Sequence, residues 1–198
     1  MNTDVKEIIG LWDKGYSLDK HTEKSTFTGK DQFGRPTFDT TRTYVGELLY
    51  QLKYKQDFKK VHPIAQLMHE QIVKKFTDID FIIGMPPSKK RDRQPVTAIA
   101  ERVSALSNKP LSKNLLLKPL ATPQVKNITV REERLKTLMH AFALHNDVIQ
   151  KYLTAHSYNV LIIDDLYDTG TSLEAVTTIL KECSKIDKVY VATVTRKK

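Results

Sequence analysis

Apolar positions along this chain follow two patterns, and the patterns alternate. Short unbroken runs occur at Phe81-Ile82-Ile83-Gly84-Met85, Leu115-Leu116-Leu117, Val160-Leu161-Ile162-Ile163 and Val189-Tyr190-Val191-Ala192-Thr193-Val194. Such runs, rich in β-formers and bounded by turn-forming or charged residues, predict buried strands. Between them apolar residues recur at helical spacing. Tyr44, Leu48, Leu49 and Leu52 follow a cap at 41–43, and Ile64, Leu67, Met68, Ile72 and Val73 share one face of 62–76, with Pro63 in the first turn. Further helices are predicted over 98–106, 130–139 and 173–181. Apolar strands alternating with amphipathic helices predict an α/β fold, a doubly wound and mostly parallel sheet. Ligands on such sheets sit beyond the carboxyl ends of the strands.

The remaining stretches are less regular. Residues 19–40 mix Thr, Lys and Asp around Asp31-Gln32-Phe33-Gly34-Arg35-Pro36, whose turn chemistry predicts a loop or hairpin tip. Residues 119–130, with Pro119, Pro123 and scattered polar groups, read as a mobile loop. The chain therefore divides into an N-terminal extension, 1–42, and a main domain, 43–198.

At 198 residues the chain can bury a core without disulfides or a structural metal. Its single cysteine, Cys183, excludes a disulfide framework and a cysteine-rich zinc module, and falls at the end of a predicted helix. Met1 to Leu18 lacks the charged start and apolar core of a signal peptide, and no apolar run is long enough to span a membrane. The expected location is cytoplasmic, with no membrane partner. A net charge of +9 favours anionic partners, although the charges are interspersed as on an ordinary soluble surface. Because the basic residues are scattered rather than aligned, nucleic acid ranks last among those partners. Absent too are a Walker phosphate loop, a dinucleotide-binding glycine pattern and an HExxH zinc motif. Trp12 reads as an anchoring aromatic.

Candidate chemistry concentrates behind the run at 160–163, in Asp164-Asp165-Leu166-Tyr167-Asp168-Thr169-Gly170-Thr171-Ser172. A strand-to-helix loop ending in Thr-Gly-Thr-Ser presents backbone N–H groups and small hydroxyls at a helix N-terminus, a cradle for phosphate. Gly170 lets the backbone approach the anion closely. Two adjacent acids at a strand end repel each other unless hydroxyls or a cation use them, and ribose hydroxyls with a nearby Mg²⁺ suit that need. A capped helix behind a strand, with Thr171 or Ser172 as the N-cap, is the plainer alternative.

The stretch from Val160 to Ser172 resembles the phosphoribosyl pyrophosphate (PRPP) motif of type I phosphoribosyltransferases. The chain from about 45 to 195 resembles the ComF branch of that superfamily in Leu52-Lys53-Tyr54, in the loop from Met85 to Arg91, in Gln124, in Arg131–Arg134 and in Phe142. It departs from that branch in lacking an N-terminal Cys-pair zinc module and in carrying Arg93-Gln94-Pro95-Val96 where an Arg-Gly-Phe-Asn-Gln signature is usual. The resemblance implies that Asp164 and Asp165 hold the ribose 2′- and 3′-hydroxyls, directly or through Mg²⁺, while Asp168, Thr169, Gly170, Thr171 and Ser172 wrap the 5′-phosphate. It makes Asp168 the catalytic candidate, a proton relay to a purine-type base, with a solvent-facing aspartate as the alternative.

Pro87, Ser88, Lys89, Lys90 and Arg91 would then receive the pyrophosphate, by hydrogen bonding and by neutralising its charge. A plain solvated basic loop carries the same letters. A cover over the site is expected from 119–130 with Lys126, Arg131 and Arg134, and the N-terminal extension would contribute to such a hood. The expected partners are PRPP and a small-molecule nitrogenous acceptor, and because relatives are often dimers a homodimer is expected as well. Two functions compete: transfer of the phosphoribosyl group with release of pyrophosphate, or binding of PRPP or a nucleotide without turnover, in DNA uptake or regulation.

Overall fold

The computed structural model describes residues 3–88, 91–119, 130–154 and 157–197. Lys89, Lys90, Gln124 and Lys126 lie outside the described residues, as does nearly all of the expected loop 119–130.

In chain order the elements are β1 (Lys6–Glu7), β2 (Lys14–Lys20), β3 (Thr22–Lys30), β4 (Pro36–Arg42), α1 (Tyr44–Tyr54), α2 (Val61–Gln71), β5 (Phe81–Gly84), α3 (Pro95–Ser107), β6 (Leu116–Leu117), α4 (Arg131–Ala141), β7 (Ala143–Leu144), α5 (Asn146–Tyr152), β8 (Tyr158–Tyr167), α6 (Thr171–Lys181) and β9 (Ile186–Arg196). The central sheet has the order β1-β2-β9-β8-β5. Its strands are parallel except for β1 against β2. This is the expected mostly parallel α/β architecture.

Strand alternation explains why helices cover both faces. Leu161 and Ile163 of β8, Tyr190, Ala192 and Val194 of β9 and Ile82 of β5 join one core with α1, α2 and α3. Val160, Ile162, Val189, Val191, Phe81 and Ile83 join the other, with α6 and α4. Successive residues of one strand feed opposite cores, so the runs read as unbroken apolar segments. The helices begin where local chemistry allows: the Thr43 hydroxyl accepts from the Gly46 amide at 3.0 Å, and Pro95 opens α3.

Gly46 itself is required by packing. A Cβ there would stand 2.1 Å from the carbonyl oxygen of His21, a backbone atom that cannot swing aside. Gly46→Ala is therefore expected to cost about 3 kcal/mol of stability by overpacking. Urea unfolding checks this, with the midpoint falling at unchanged slope.

The structure adds detail that the apolar pattern does not carry. The apolar pattern shows no strand over 6–20, yet β2 lies inside the sheet beside β9, and Arg196 of β9 is buried against Asp4, donating to its carbonyl at 2.7 Å. The pattern fails there because β2 buries Ser17 and Asp19, polar residues paired locally: the Asp19 carboxylate accepts from the Lys20 amide at 2.7 Å. The first 42 residues thus split between the sheet and an exposed β3–β4 hairpin, whose turn at 31–35 falls at the expected place. The run at 115–117 pairs antiparallel with β7 in a separate ribbon instead of joining the main sheet. No helix among the described residues is long and apolar enough to cross a membrane.

Candidate active site at the switch point of the sheet

The topology singles out one crevice. From β5 the chain passes through α3 and returns at Leu111, which bridges Ile82 in parallel on the side away from β8. From β8 it passes through α6 to β9, on the side away from β5. The two crossovers diverge, so the carboxyl ends of β5 and β8 flank the switch point where open α/β sheets bind ligands.

Strand lengths open that crevice. The sequence places the strand end at Ile163, but β8 runs on to Tyr167 because β9 keeps pairing with it, Asp164 opposite Thr193 and Leu166 opposite Thr195. Strand β5 stops at Gly84, with a last hydrogen bond from the Met85 amide to the Ile163 carbonyl at 2.9 Å. Asp164 and Asp165 therefore lie on a strand, on the flank that β5 has left. A cavity of about 370 Å³ occupies the gap, bounded by Met85, Pro86, Pro87, Ser88 and Arg91 on one side and by Asp164, Asp165 and Ser172 on the other. Lys53 and Tyr54 from α1, residues 94–97 at the start of α3, Leu166, Lys118 and Phe142 also line it.

The acid pair is held in two ways. The Nζ of Lys53 lies 2.8 Å from an Asp165 carboxylate oxygen, both side chains being largely buried. Asp164 accepts from the Asp165 amide at 2.8 Å. Burial, followed by the neighbouring Asp165 charge, raises the Asp164 carboxyl to about 8 against the smaller pull of that amide and of Lys53. A carboxyl raised in this way holds its proton to higher pH than a free one, and when protonated it can donate to a sugar hydroxyl as well as accept. Burial and then the charges of Arg42 and Lys53 hold the His21 imidazole below its ordinary value.

The predicted phosphate cradle forms a second, smaller cavity of about 80 Å³ that shares Asp164, Leu166 and Ser172 with the first. Gly170 is the N-cap of α6 with φ +77°, and the first helical bond runs from the Glu174 amide to its carbonyl at 2.9 Å. The amides of 171–173 precede that bond and have no acceptor within the helix. A Cβ on Gly170 would meet the Tyr167 ring at 2.9 Å and the Trp12 ring at 3.4 Å. Trp12 is buried, donates to the Ile8 carbonyl at 2.9 Å and meets Tyr167 edge-on, so the N-terminal segment buttresses the cradle. The N-cap is Gly170 rather than Thr171 or Ser172, so the cap is a backbone turn without a capping side chain.

Helix α4 carries two arginines beside α6, and they do different things. Arg134 lines the smaller cavity, and its Nε is buried with no hydrogen-bond partner among the described residues. Arg131 instead pairs at 2.6 Å with Glu174, a buried carboxylate in the first turn of α6, and so fixes α4 on α6. Of the two arginines expected in a hood, one faces the cradle and the other ties helices together. Arg134→Met is expected to weaken ribose 5-phosphate binding roughly tenfold, the loss of one charge-assisted hydrogen bond, and titration calorimetry would read it.

Of the other expected residues, Thr169 lines the cradle and contacts the Thr171 hydroxyl at 3.0 Å. Asp168 also lines the cradle but pairs with Lys197 at 2.7 Å, and it is absent from the larger cavity. Arg93, the last cation of the basic loop, leaves the cavity and lies over the Phe58 ring at 4.2 Å. Sequence reasoning missed Lys118, a cavity lysine lowered by burial that sits over Phe142. Lys53 was visible only through the family resemblance.

A Mg²⁺ ion needs several oxygen ligands around it. Asp165 already carries Lys53, which leaves Asp164 as its one acidic neighbour in the cavity lining. Among the described residues no three His, Cys, Asp or Glu side chains gather closely enough to hold a metal. The residues present do not fit a preformed Mg²⁺ site.

No protein-family model matches the chain, and no curated protein sequence matches it. Solved structures similar to it include UMP synthase of Leishmania donovani, at 16% identity and TM-score 0.42, over 85% of this chain and 28% of that one. They also include a hypothetical protein of Neisseria gonorrhoeae with bound ppGpp, at 16% identity and TM-score 0.43, over 70% of this chain and 68% of that one. Adenine phosphoribosyltransferase of Leishmania tarentolae is similar over 98% of this chain and 94% of that one, at 9% identity and TM-score 0.49. The chain thus spans little more than a quarter of the length of the UMP synthase.

Proposed function

We propose that the protein binds PRPP and transfers its phosphoribosyl group to a small nitrogenous acceptor, releasing pyrophosphate. The observation that carries this reading is the order of groups along the paired cavities. An anion cradle at the α6 N-terminus with Arg134 adjoins a carboxyl pair able to bind hydroxyls, and beyond that pair lie Ser88, Arg91 and Lys118. A sugar with phosphate at one end and diphosphate at the other matches that order.

In the transfer, the bond from C1 of the ribose to the diphosphate oxygen breaks and a bond from C1 to the acceptor nitrogen forms. The departing oxygens take the electron pair, and Arg91 and Lys118 offset that growing charge. Lys89 and Lys90 belong to the same loop by sequence. Asp164 and Asp165 orient the hydroxyls, and Gly170 to Ser172 anchor the 5′ end. The proton lost by the acceptor nitrogen needs a base, the role proposed for Asp168, with a purine base the first acceptor to try.

A second reading is binding without turnover, as in a ComF-like module for DNA uptake or regulation. One observation favours it: Asp168 is tied to Lys197 outside the larger cavity. Incubation with PRPP and a panel of bases, followed by a coupled pyrophosphate assay and mass spectrometry, separates the two. A nucleotide product supports transfer. Heat of PRPP binding in calorimetry without pyrophosphate release supports the second reading, and no heat at all retires both.

A further inference from the structure

We infer that Lys53 is the resident cation of the carboxyl pair, filling the place a divalent ion would take, so that the free protein binds no Mg²⁺ or Mn²⁺ there. Lys53 is in the last turn of α1, a helix fixed at its start by the Thr43 cap and along its length by Val45, Leu48, Leu49 and Leu52 in the core. A helix held that firmly delivers its side chain to one place. Its Nζ reaches the Asp165 carboxylate at 2.8 Å, and only 18% and 16% of the two side chains remain exposed. That is far more enclosed than a surface pair, such as Lys197 with Asp168, whose side chains are 58% and 50% exposed.

Charge and space follow. A metal ion bound to Asp165 would sit beside the ammonium of Lys53, where two like charges repel. Lys53 would have to leave first, and removing one partner of a buried ion pair is costly. The lysine has room to lean toward a ligand, since it lines the larger cavity together with Arg91 and Lys118. It can therefore serve both the hydroxyl end and the diphosphate end of a bound sugar. This rests on the proposed function only in taking the acid pair as the sugar's anchor.

The test is Mn²⁺ titration of the sugar-free protein, read by electron paramagnetic resonance of the unbound ion. Wild type and Lys53→Arg are expected to take up none at the acid pair. Lys53→Met, which leaves the carboxyl pair uncompensated, is expected to bind Mn²⁺ at least about tenfold more tightly than wild type, and the gain is expected to vanish in Lys53→Met/Asp165→Asn. A lysine that merely tied α1 to β8 would lower stability without creating a metal site. Saturable Mn²⁺ binding by wild type that Asp165→Asn abolishes would overturn the inference, as would a folded Lys53→Met that gains nothing. Should Lys53→Met not fold, Lys53→Gln gives the same readout. Since no sugar is present, the result is independent of PRPP: if Mn²⁺ binding appears as expected while wild type ignores PRPP, the functional reading fails and the role of Lys53 stands.

Discussion

Asp164→Asn is expected to make the free protein more stable, and increasingly so as pH rises. The folded carboxyl is raised to about 8 from an ordinary value of 3.8, chiefly by burial. Between those values the folded chain holds a proton that the unfolded chain gives up, so wild-type stability falls as pH climbs through the window. Asparagine does not titrate, is the same size, and can still accept from the Asp165 amide. The difference between variant and wild type should be smallest near pH 4, grow through neutrality and level off above pH 8. Each tenfold change in proton affinity between the folded and unfolded chain is worth about 1.4 kcal/mol. Moderated by coupling to Asp165 and Lys53, the plateau is then roughly 2–4 kcal/mol. That corresponds to a melting temperature higher by about 5–12 °C for a chain of this size. Melting curves from pH 4 to 9 in a chelating buffer decide it, and parallel curves for the two proteins would show that Asp164 is ionised throughout. If the stabilised variant also loses PRPP binding, the strain at Asp164 belongs to function.

The fold was legible where burial followed the apolar pattern. The runs at 81–85, 160–163 and 189–194 became parallel strands because each is covered on both faces, and 44–54 became a helix because its apolar stripe meets that sheet. The pattern was blind to β2, which buries Ser17 and Asp19 through local hydrogen bonds, and to the second half of β8, where pairing with β9 rather than side-chain character sets the strand's length. The same division holds for the site. The Gly170 turn announced itself by letters adjacent in the chain, whereas Lys53, Arg134 and Lys118 reach the cavities from distant elements. Lys118 is one of 32 basic residues with nothing local to mark it, Lys53 was reached only through the family resemblance, and Arg134 was expected in a hood rather than at the cradle. Topology supplied what the letters lacked, since the diverging crossovers from β5 and β8 place the crevice before any side chain is considered.

Substitution at Gly170 should separate the loop's backbone conformation from the anion capture proposed for it. Alanine there must adopt φ +77°, and its Cβ would press on the Tyr167 ring at 2.9 Å and touch Trp12 at 3.4 Å. The left-handed conformation alone costs about 1–2 kcal/mol for a residue with a Cβ, and displacing Tyr167 adds to it. Either response harms anion capture. If the backbone holds, the displaced Tyr167 loosens its packing on Trp12, and if it relaxes, the amides of 171–173 turn away from a common point. Ribose 5-phosphate affinity is therefore expected to fall about a hundredfold, equivalent to nearly 3 kcal/mol and more than Arg134→Met should lose. The two losses should also differ in kind. The arginine acts through charge, so its loss should flatten the salt dependence of binding, whereas the glycine acts through geometry and should leave that slope unchanged. Calorimetric titrations of both variants at low and moderate salt measure this. A Gly170→Ala protein that melts lower yet binds ribose 5-phosphate as wild type does would mean that the turn serves folding alone and that the phosphate is held elsewhere.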